Sequence, residues 1–228
     1  DLHSFPTRRS SDLVVVALMD AEWVNGLEDS ELARMANLFY RDTYGADQNV
    51  CSSPKTVFWL KCGDENFMAG DGGNDGTARA RNRWWSAVER EAVRYEFQPW
   101  MAVEKYRILC CAYAENQGLE PIRRKNNRLY VVPVKKLCQP IWKLQASMGL
   151  FYDYEIENLD EMLPFMGEKV QTAVCGGIEP QLVFDAARRE GCPGLDRAVS
   201  IGQALEFDPV WDRKNLLNIL SEIGRAHV

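Results

Sequence analysis

The sequence predicts an α/β fold, a mainly parallel sheet with helices on both faces. Three observations carry that expectation. "VVVALM" (14–19) is an unbroken apolar run rich in β-branched residues, the pattern of a strand buried on both sides. Similar short runs, "TVFWL" (56–60), "LYVVPV" (129–134) and "VQTAVCGG" (170–177), alternate along the chain with helical patterns. Parallel strands need crossovers, and helical crossovers cover both faces of the sheet they connect.

Taken in order, the first strand is followed by "EDSE" (28–31), an acidic helix start. Leu32, Met35, Ala36 and Phe39 then fall at i, i+3, i+4 and i+7 and make one apolar helical face, which ends near Gly45. The polar segment "DQNVCSSPK" (47–55) separates this helix from the strand 56–60, which opens at Pro54, where a missing N–H is tolerated. Residues 63–82 read as a loop. Its "GDGGNDG" is not an EF-hand, because counting from Asp71 puts Gly73 at the third position and Asn82 at the twelfth, where oxygen ligands are required. Two helices follow, 83–97 with Trp84, Trp85, Val88 and Ala92, and 100–116 with Val103, Tyr106 and Cys110, their aromatics read as core. Beyond the strand 129–134 come a strand at 149–157, a short helix from 158 capped by Asn158, and the strand 170–177 running into a glycine turn. A helix at 179–191 stopped by Gly191, a strand "RAVSIG" (197–202) and a final helix "RKNLLNIL" (213–220) complete the pattern.

Residues 1–13 and 222–228 resemble translated sequencing-library adapters and are set aside as non-native. The chain's only histidines, His3 and His227, lie in these two segments, so no Ser-His-Asp, Cys-His or His-metal chemistry is expected of residues 14–221. A net charge of -6 without a basic stripe argues against nucleic acid. No apolar run approaches the roughly 18 residues of a membrane span, and no secretory signal is visible. The seven cysteines are odd in number, include the adjacent pair Cys110 and Cys111, and contain no C-x-x-C. That pattern excludes an ordinary disulfide framework and a structural zinc site, and points to reduced thiols in the cytoplasm.

Cys51 stands apart, because it sits in a short polar, turn-rich segment. A thiolate needs a nearby cation, a helix N-terminus or convergent backbone N–H groups, and a "CSS" turn can supply the last of these. With no histidine to take its proton, attack starts from a preformed thiolate, which suits a thioester with its good leaving group. The same residues also fit an inert cysteine at a strand entrance. Cys62, Cys110, Cys111, Cys138 and Cys175 lie in or beside apolar runs and Cys192 in a Gly-Pro turn, where packing is the expected role.

The order "VVVALMDAEW", helix, "DQNVCSSP" resembles the aldehyde dehydrogenase superfamily. More narrowly, "DQNVCSSPKTVFW", "LDEMLPFMGEKVQTAV" and "DRAVSIGQALEFDPVWD" are similar to the LuxC-type acyl-CoA reductases, the reductase component of bacterial bioluminescence fatty-acid reductase complexes. The resemblance spans nearly all of residues 14–221. It implies an aldehyde-dehydrogenase-like fold of which this chain is the catalytic half only: 14–45 the end of a cofactor-binding domain, 46–221 the catalytic domain. It also implies Cys51 as the nucleophile toward an acyl-CoA or acyl-protein thioester, NADPH as hydride donor and a fatty aldehyde as product. An acyl-protein synthetase and an acyltransferase are the implied partners, in an oligomer. The superfamily's general-base Glu and oxyanion Asn would both precede Val14, and no G-x-G-x-x-G or P-loop follows a strand, so no cofactor-binding residue is assigned and the chain alone is expected not to catalyse reduction. A cysteine-dependent thioester acyltransferase or thioesterase without nicotinamide, and a non-catalytic interaction module, are the alternatives.

Overall fold

The computed structural model describes residues 13–50, 53–63, 76–138, 140–192, 194–206, 210–211, 214–215 and 217–218. In chain order its elements are β1 (Val14–Asp20), α1 (Ala21–Gly26), α2 (Asp29–Tyr44), β2 (Pro54–Leu60), α3 (Gly76–Ala92), α4 (Pro99–Glu115), β3 (Arg124–Lys125), β4 (Tyr130–Val134), β5 (Leu150–Ile156), α5 (Leu163–Met166), β6 (Val170–Gly176), α6 (Pro180–Arg189), β7 (Arg197–Ser200), β8 (Val210–Trp211) and β9 (Lys214–Asn215). Seven strands form one sheet in the order β3-β4-β5-β2-β1-β6-β7. Every pairing in it is parallel except that of β3 with β4.

β1 is the strand buried on both faces that its sequence predicts. Val14, Val16 and Leu18 join one core with Val132, Tyr152, Met166 and Val183 of β4, β5, α5 and α6. Val15, Ala17 and Met19 face the other way, into a core with Leu32, Phe39, Trp84 and Val88 of α2 and α3. Helices therefore cover both faces, as the α/β pattern requires. Leu13, the last residue of the leading segment set aside above, is itself buried.

Several elements differ from expectation for identifiable reasons. α1 is an extra short helix, started where the Asp20 carboxylate accepts from the Glu22 and Trp23 amides at 2.7 and 3.0 Å. α3 begins at Gly76 rather than at 83; its first turns read as polar, yet Thr77, Ala80 and Arg81 are buried. α4 is rotated relative to its expected face. Val103 and Tyr106 are 71% and 67% exposed and Cys110 is exposed too, while Met101, Lys105, Ile108, Leu109 and Ala112 turn inward. Asn158 does not cap through its side chain; its amide donates to Glu161 Oε1 at 3.3 Å. Within the final expected helix, Lys214 and Asn215 instead form β9, antiparallel to β8. Gly191 does stop α6: at φ 67° its N–H reaches Arg188 O, and the Cys192 N–H reaches Ala187 O at 2.8 Å, the paired bonds of a Schellman motif.

Candidate functional site

Cys51 and Ser52 lie outside the described residues, and so do all but the last residue, Gly76, of the "GDGGNDG" run. The residues on either side of the cysteine are described. The Ser53 N–H, just before the amino end of β2, donates to Val50 O at 3.1 Å. Just upstream, Asp47 and Gln48 are both in the left-handed region, at φ 54° and 59°. Non-glycine residues hold that conformation only where the surroundings over-determine it. Here they do. Gln48 is fully buried; its Nε2 donates to Pro54 O (2.8 Å) and Leu150 O (2.9 Å), and its Oε1 accepts from Gly149 N (3.1 Å). Asp47 O accepts from Met148 N at 2.9 Å, and Asp47 Oδ1 accepts from the Tyr95 hydroxyl at 2.6 Å. One glutamine thereby ties the amino ends of β2 and β5 to the segment leading into the cysteine. Gly149 itself, at φ 83°, packs so close to Arg128 and Tyr44 that a Cβ there would lie 2.1 Å from Arg128 O.

The end of α2 supplies the second anchor. Asp42 is 1% exposed, and its carboxylate accepts from Gly202 N (2.6 Å, Oδ2) and Ala204 N (3.2 Å, Oδ1), while its carbonyl accepts from Ser53 Oγ (2.9 Å). Burial pushes this carboxyl up to about 6, against the downward pull of those two amides and of Arg41. Beside it a cavity of about 630 Å³ opens between α2 and the carboxyl ends of β6 and β7, lined in part by Trp23, Leu38, Arg41, Cys175, Ile201 and Gly202. The crevice beyond the carboxyl ends of parallel strands is where open α/β sheets place ligands.

The six other cysteines are free thiols in three settings. Cys175 is buried and its thiol is pushed up to about 12 by burial, with Glu179 adding to the rise; Cys62 and Cys192 are half-buried and also raised, first by burial. Cys110, Cys111 and Cys138 are exposed, which corrects the packing role expected of them. No group of carboxylates, cysteines and histidines able to hold a metal occurs among the described residues, and no helix among them is long and apolar enough to cross a membrane.

The glycine turn after β6 does not fit a dinucleotide. A Cβ at Gly176 would strike Ile201 and Met19, and one at Gly177 would lie 2.5 Å from Trp23 Cβ, so both glycines make room for side chains rather than for a pyrophosphate. Among the described residues no other glycine-rich turn joins a strand to a helix N-terminus.

No protein-family model matches the chain, and no curated protein matches it in sequence. Solved structures do match in shape. Aldehyde dehydrogenase 21 from Physcomitrella patens, solved in complex with the reaction product succinate, superposes with a TM-score of 0.53 at 10% identity, over 87% of this chain and 40% of that one. The fold is aldehyde-dehydrogenase-like. The Delta-pyrroline-5-carboxylate dehydrogenase from Mycobacterium tuberculosis gives a TM-score of 0.51 at 7% identity, over 82% of this chain and 35% of that one. This aldehyde-dehydrogenase-like chain thus spans less than half the length of either structure.

Two of the site's anchors escaped the sequence reading. Asp42 left a trace, because it lies three residues after Phe39 and continues the stripe of Leu32, Met35 and Phe39 with a carboxylate where an apolar side chain belongs. Gln48 left none, since a glutamine in a polar segment looks solvated until its three backbone partners are known.

Proposed function

We propose that this chain supplies the acyl-accepting part of an NADPH-dependent reductase that converts an acyl-CoA or acyl-protein thioester to a fatty aldehyde. The observation that carries the proposal is the pair of left-handed residues, Asp47 and Gln48, pinned by a buried amide shortly ahead of Cys51 in the chain. Backbone held in a sparsely populated conformation clusters at active sites, where pre-organisation repays its cost of about 1–3 kcal/mol per residue. The aldehyde-dehydrogenase-like fold and the sequence resemblance support a thiol nucleophile at this position.

In this reading the Cys51 thiolate attacks the thioester carbonyl, a carbon–sulfur bond forms, and the original thiol departs as thiolate and takes a proton from solvent. The acyl group is left on Cys51. Two-electron reduction of that acyl-cysteine to the aldehyde, with return of the free thiol, takes a hydride from the nicotinamide. It is assigned to the whole protein, and this chain alone is expected to oxidise no NADPH.

The test is turnover by the full-length protein with a long-chain acyl-CoA. Aldehyde formation matched one-to-one by NADPH consumption, and abolished by Cys51→Ala, is the expected result. Thioester hydrolysis that proceeds equally well without a nicotinamide would replace the reductase by a thioesterase, and full activity of Cys51→Ala would overturn the site.

A further inference from the structure

We propose that the 630 Å³ cavity at the carboxyl ends of β6 and β7 binds a free α-amino acid with a large apolar side chain, held as its zwitterion. Such a site adds a ligand beyond those of the acyl transfer proposed above, and nothing in it depends on the role of Cys51.

The path of the chain makes the crevice. β1 and β6 are parallel neighbours inside the sheet. Leaving β1, the chain passes through α2, whose Leu32, Ala36 and Phe39 pack on one face, and enters β2 on one side of β1. Leaving β6, it passes through α6, whose Val183, Ala186 and Ala187 pack on the opposite face, and enters β7 on the far side of β6. Connections that diverge in this way from adjacent strand ends leave a gap between them, and open α/β sheets take up ligands at such a switch point. The cavity occupies it: Trp23 lines it from the segment after β1, Met35 and Leu38 from α2, and Ile201 from the turn after β7. That last wall is pre-formed, because the Asp42 carboxylate accepts from the Gly202 and Ala204 amides at 2.6 and 3.2 Å. A volume of 630 Å³ lies within the roughly 300–1,000 Å³ of small-molecule sites.

The charges select the ligand. Four charged side chains line the cavity: Arg34 and Arg41 of α2, Glu179 at the N-cap of α6, and Glu206 beyond β7. Arg34 is occupied by its own helix, donating to Glu31 from Nη2 at 2.6 Å and from Nε at 2.8 Å. Among the described residues the side chains of Arg41, Glu179 and Glu206 make no ion pair, with one another or with any other group. A cation and two carboxylates therefore border one apolar surface without neutralising each other. A purely anionic ligand would meet the glutamates unpaired, and a purely cationic one would meet Arg41. A carboxylate and an ammonium on one carbon satisfy both signs through charge-assisted hydrogen bonds, while an apolar side chain covers Trp23, Leu38 and Ile201.

Isothermal titration of this chain with L-phenylalanine and L-leucine tests the site, with 3-phenylpropionate and phenethylamine as analogues of phenylalanine that each lack one charge. Saturable binding of phenylalanine is expected with a dissociation constant of about 1 mM, the order that about a dozen non-hydrogen atoms supply. Each analogue should bind at least about tenfold more weakly, the scale of one hydrogen bond to a charged group. Arg41→Ala and Glu179→Gln, both at exposed positions where folding is not at risk, should each weaken phenylalanine by a similar factor. Absence of saturable binding by either amino acid would overturn the proposal. So would an analogue that binds as tightly as phenylalanine, which would make the cavity a site for simple apolar ions, or variants that both bind phenylalanine unchanged, which would place it elsewhere on the chain.

Discussion

From the middle of β5 onward, Arg81 of α3 donates from Nε and Nη2 to Asp153 Oδ2 at 3.0 and 2.6 Å and from Nη1 to Glu155, and the Trp85 indole donates to the same Asp153 oxygen at 3.3 Å. At the amino end of the neighbouring strand β2, the buried polar groups are a neutral amide, Gln48, and a carboxylate, Asp42, held only by backbone amides. The first region pairs charge with charge and locks a helix to the sheet on regular backbone. The second buries a charge without a counter-charge and holds two residues left-handed. Polar groups buried for stability find complementary partners, whereas the ones that stay under strain mark the region where the fold gives up stability for placement.

The comparison breaks most visibly at Arg81. Arg81→Met leaves Asp153, 2% exposed, as an uncompensated buried carboxylate, and should cost about 3–5 kcal/mol in urea unfolding. Adding Asp153→Leu should return much of that loss. If the double variant is no more stable than the single one, the pair is not the structural lock described.

The next effect is one of pH. The folded Asp42 carboxyl, at about 6, lies above its unfolded value near 3.8, so its contribution to stability is complete below pH 3.8 and is lost as pH rises through 6. The full change is roughly 3 kcal/mol at about 1.4 kcal/mol per decade of pH. Lys105 acts in the opposite sense. Its ammonium is fully buried, donates to Asn127 O at 2.9 Å and stands over the Phe97 and Tyr130 rings, and burial pulls it down to about 7. Its contribution is complete above pH 10.5 and is lost as pH falls through 7. The two together predict a stability minimum between about pH 6 and 7. Denaturation across pH should show Asp42→Asn removing the acid side of that minimum and Lys105→Met the alkaline side; unchanged profiles would contradict both assignments.

Gln48→Ala removes three buried hydrogen bonds and should cost about 2 kcal/mol. It should also slow labelling of Cys51, which distinguishes a site anchor from an ordinary buried amide. The smallest change belongs to α4: Val103→Lys and Tyr106→Lys should each stay within about 0.5 kcal/mol of wild type, because both side chains are exposed.

The order of elements was legible because apolar patterning survives in single stretches: Val14–Met19 of β1 and all of β4 are unbroken apolar runs, and α2 shows its stripe from Leu32 to Phe39. What misled was sequence that means one thing locally and another in three dimensions. The start of α3 looked like loop because Arg81 is buried by partners more than seventy residues away. α4 buries the face with Ile108 and Leu109, in which a lysine stands among the core residues, and exposes the expected face with Val103 and Tyr106. For the candidate site the sequence offered only Cys51, a thiol in a polar segment, and that residue lies outside the described residues. Its anchors, Asp42 and Gln48, act through backbone groups of residues up to 162 positions away, and no local pattern encodes that.

The central claim is that Cys51, ahead of β2 in the chain, is the acyl-accepting thiol. Intact-mass measurement of this chain after incubation with a long-chain acyl-CoA, without any nicotinamide, tests it most directly. The account predicts one acyl adduct, mapped to Cys51 and absent from Cys51→Ala. An adduct of equal extent on the Cys51→Ala chain, carried by Cys110, Cys111 or Cys138, would contradict it.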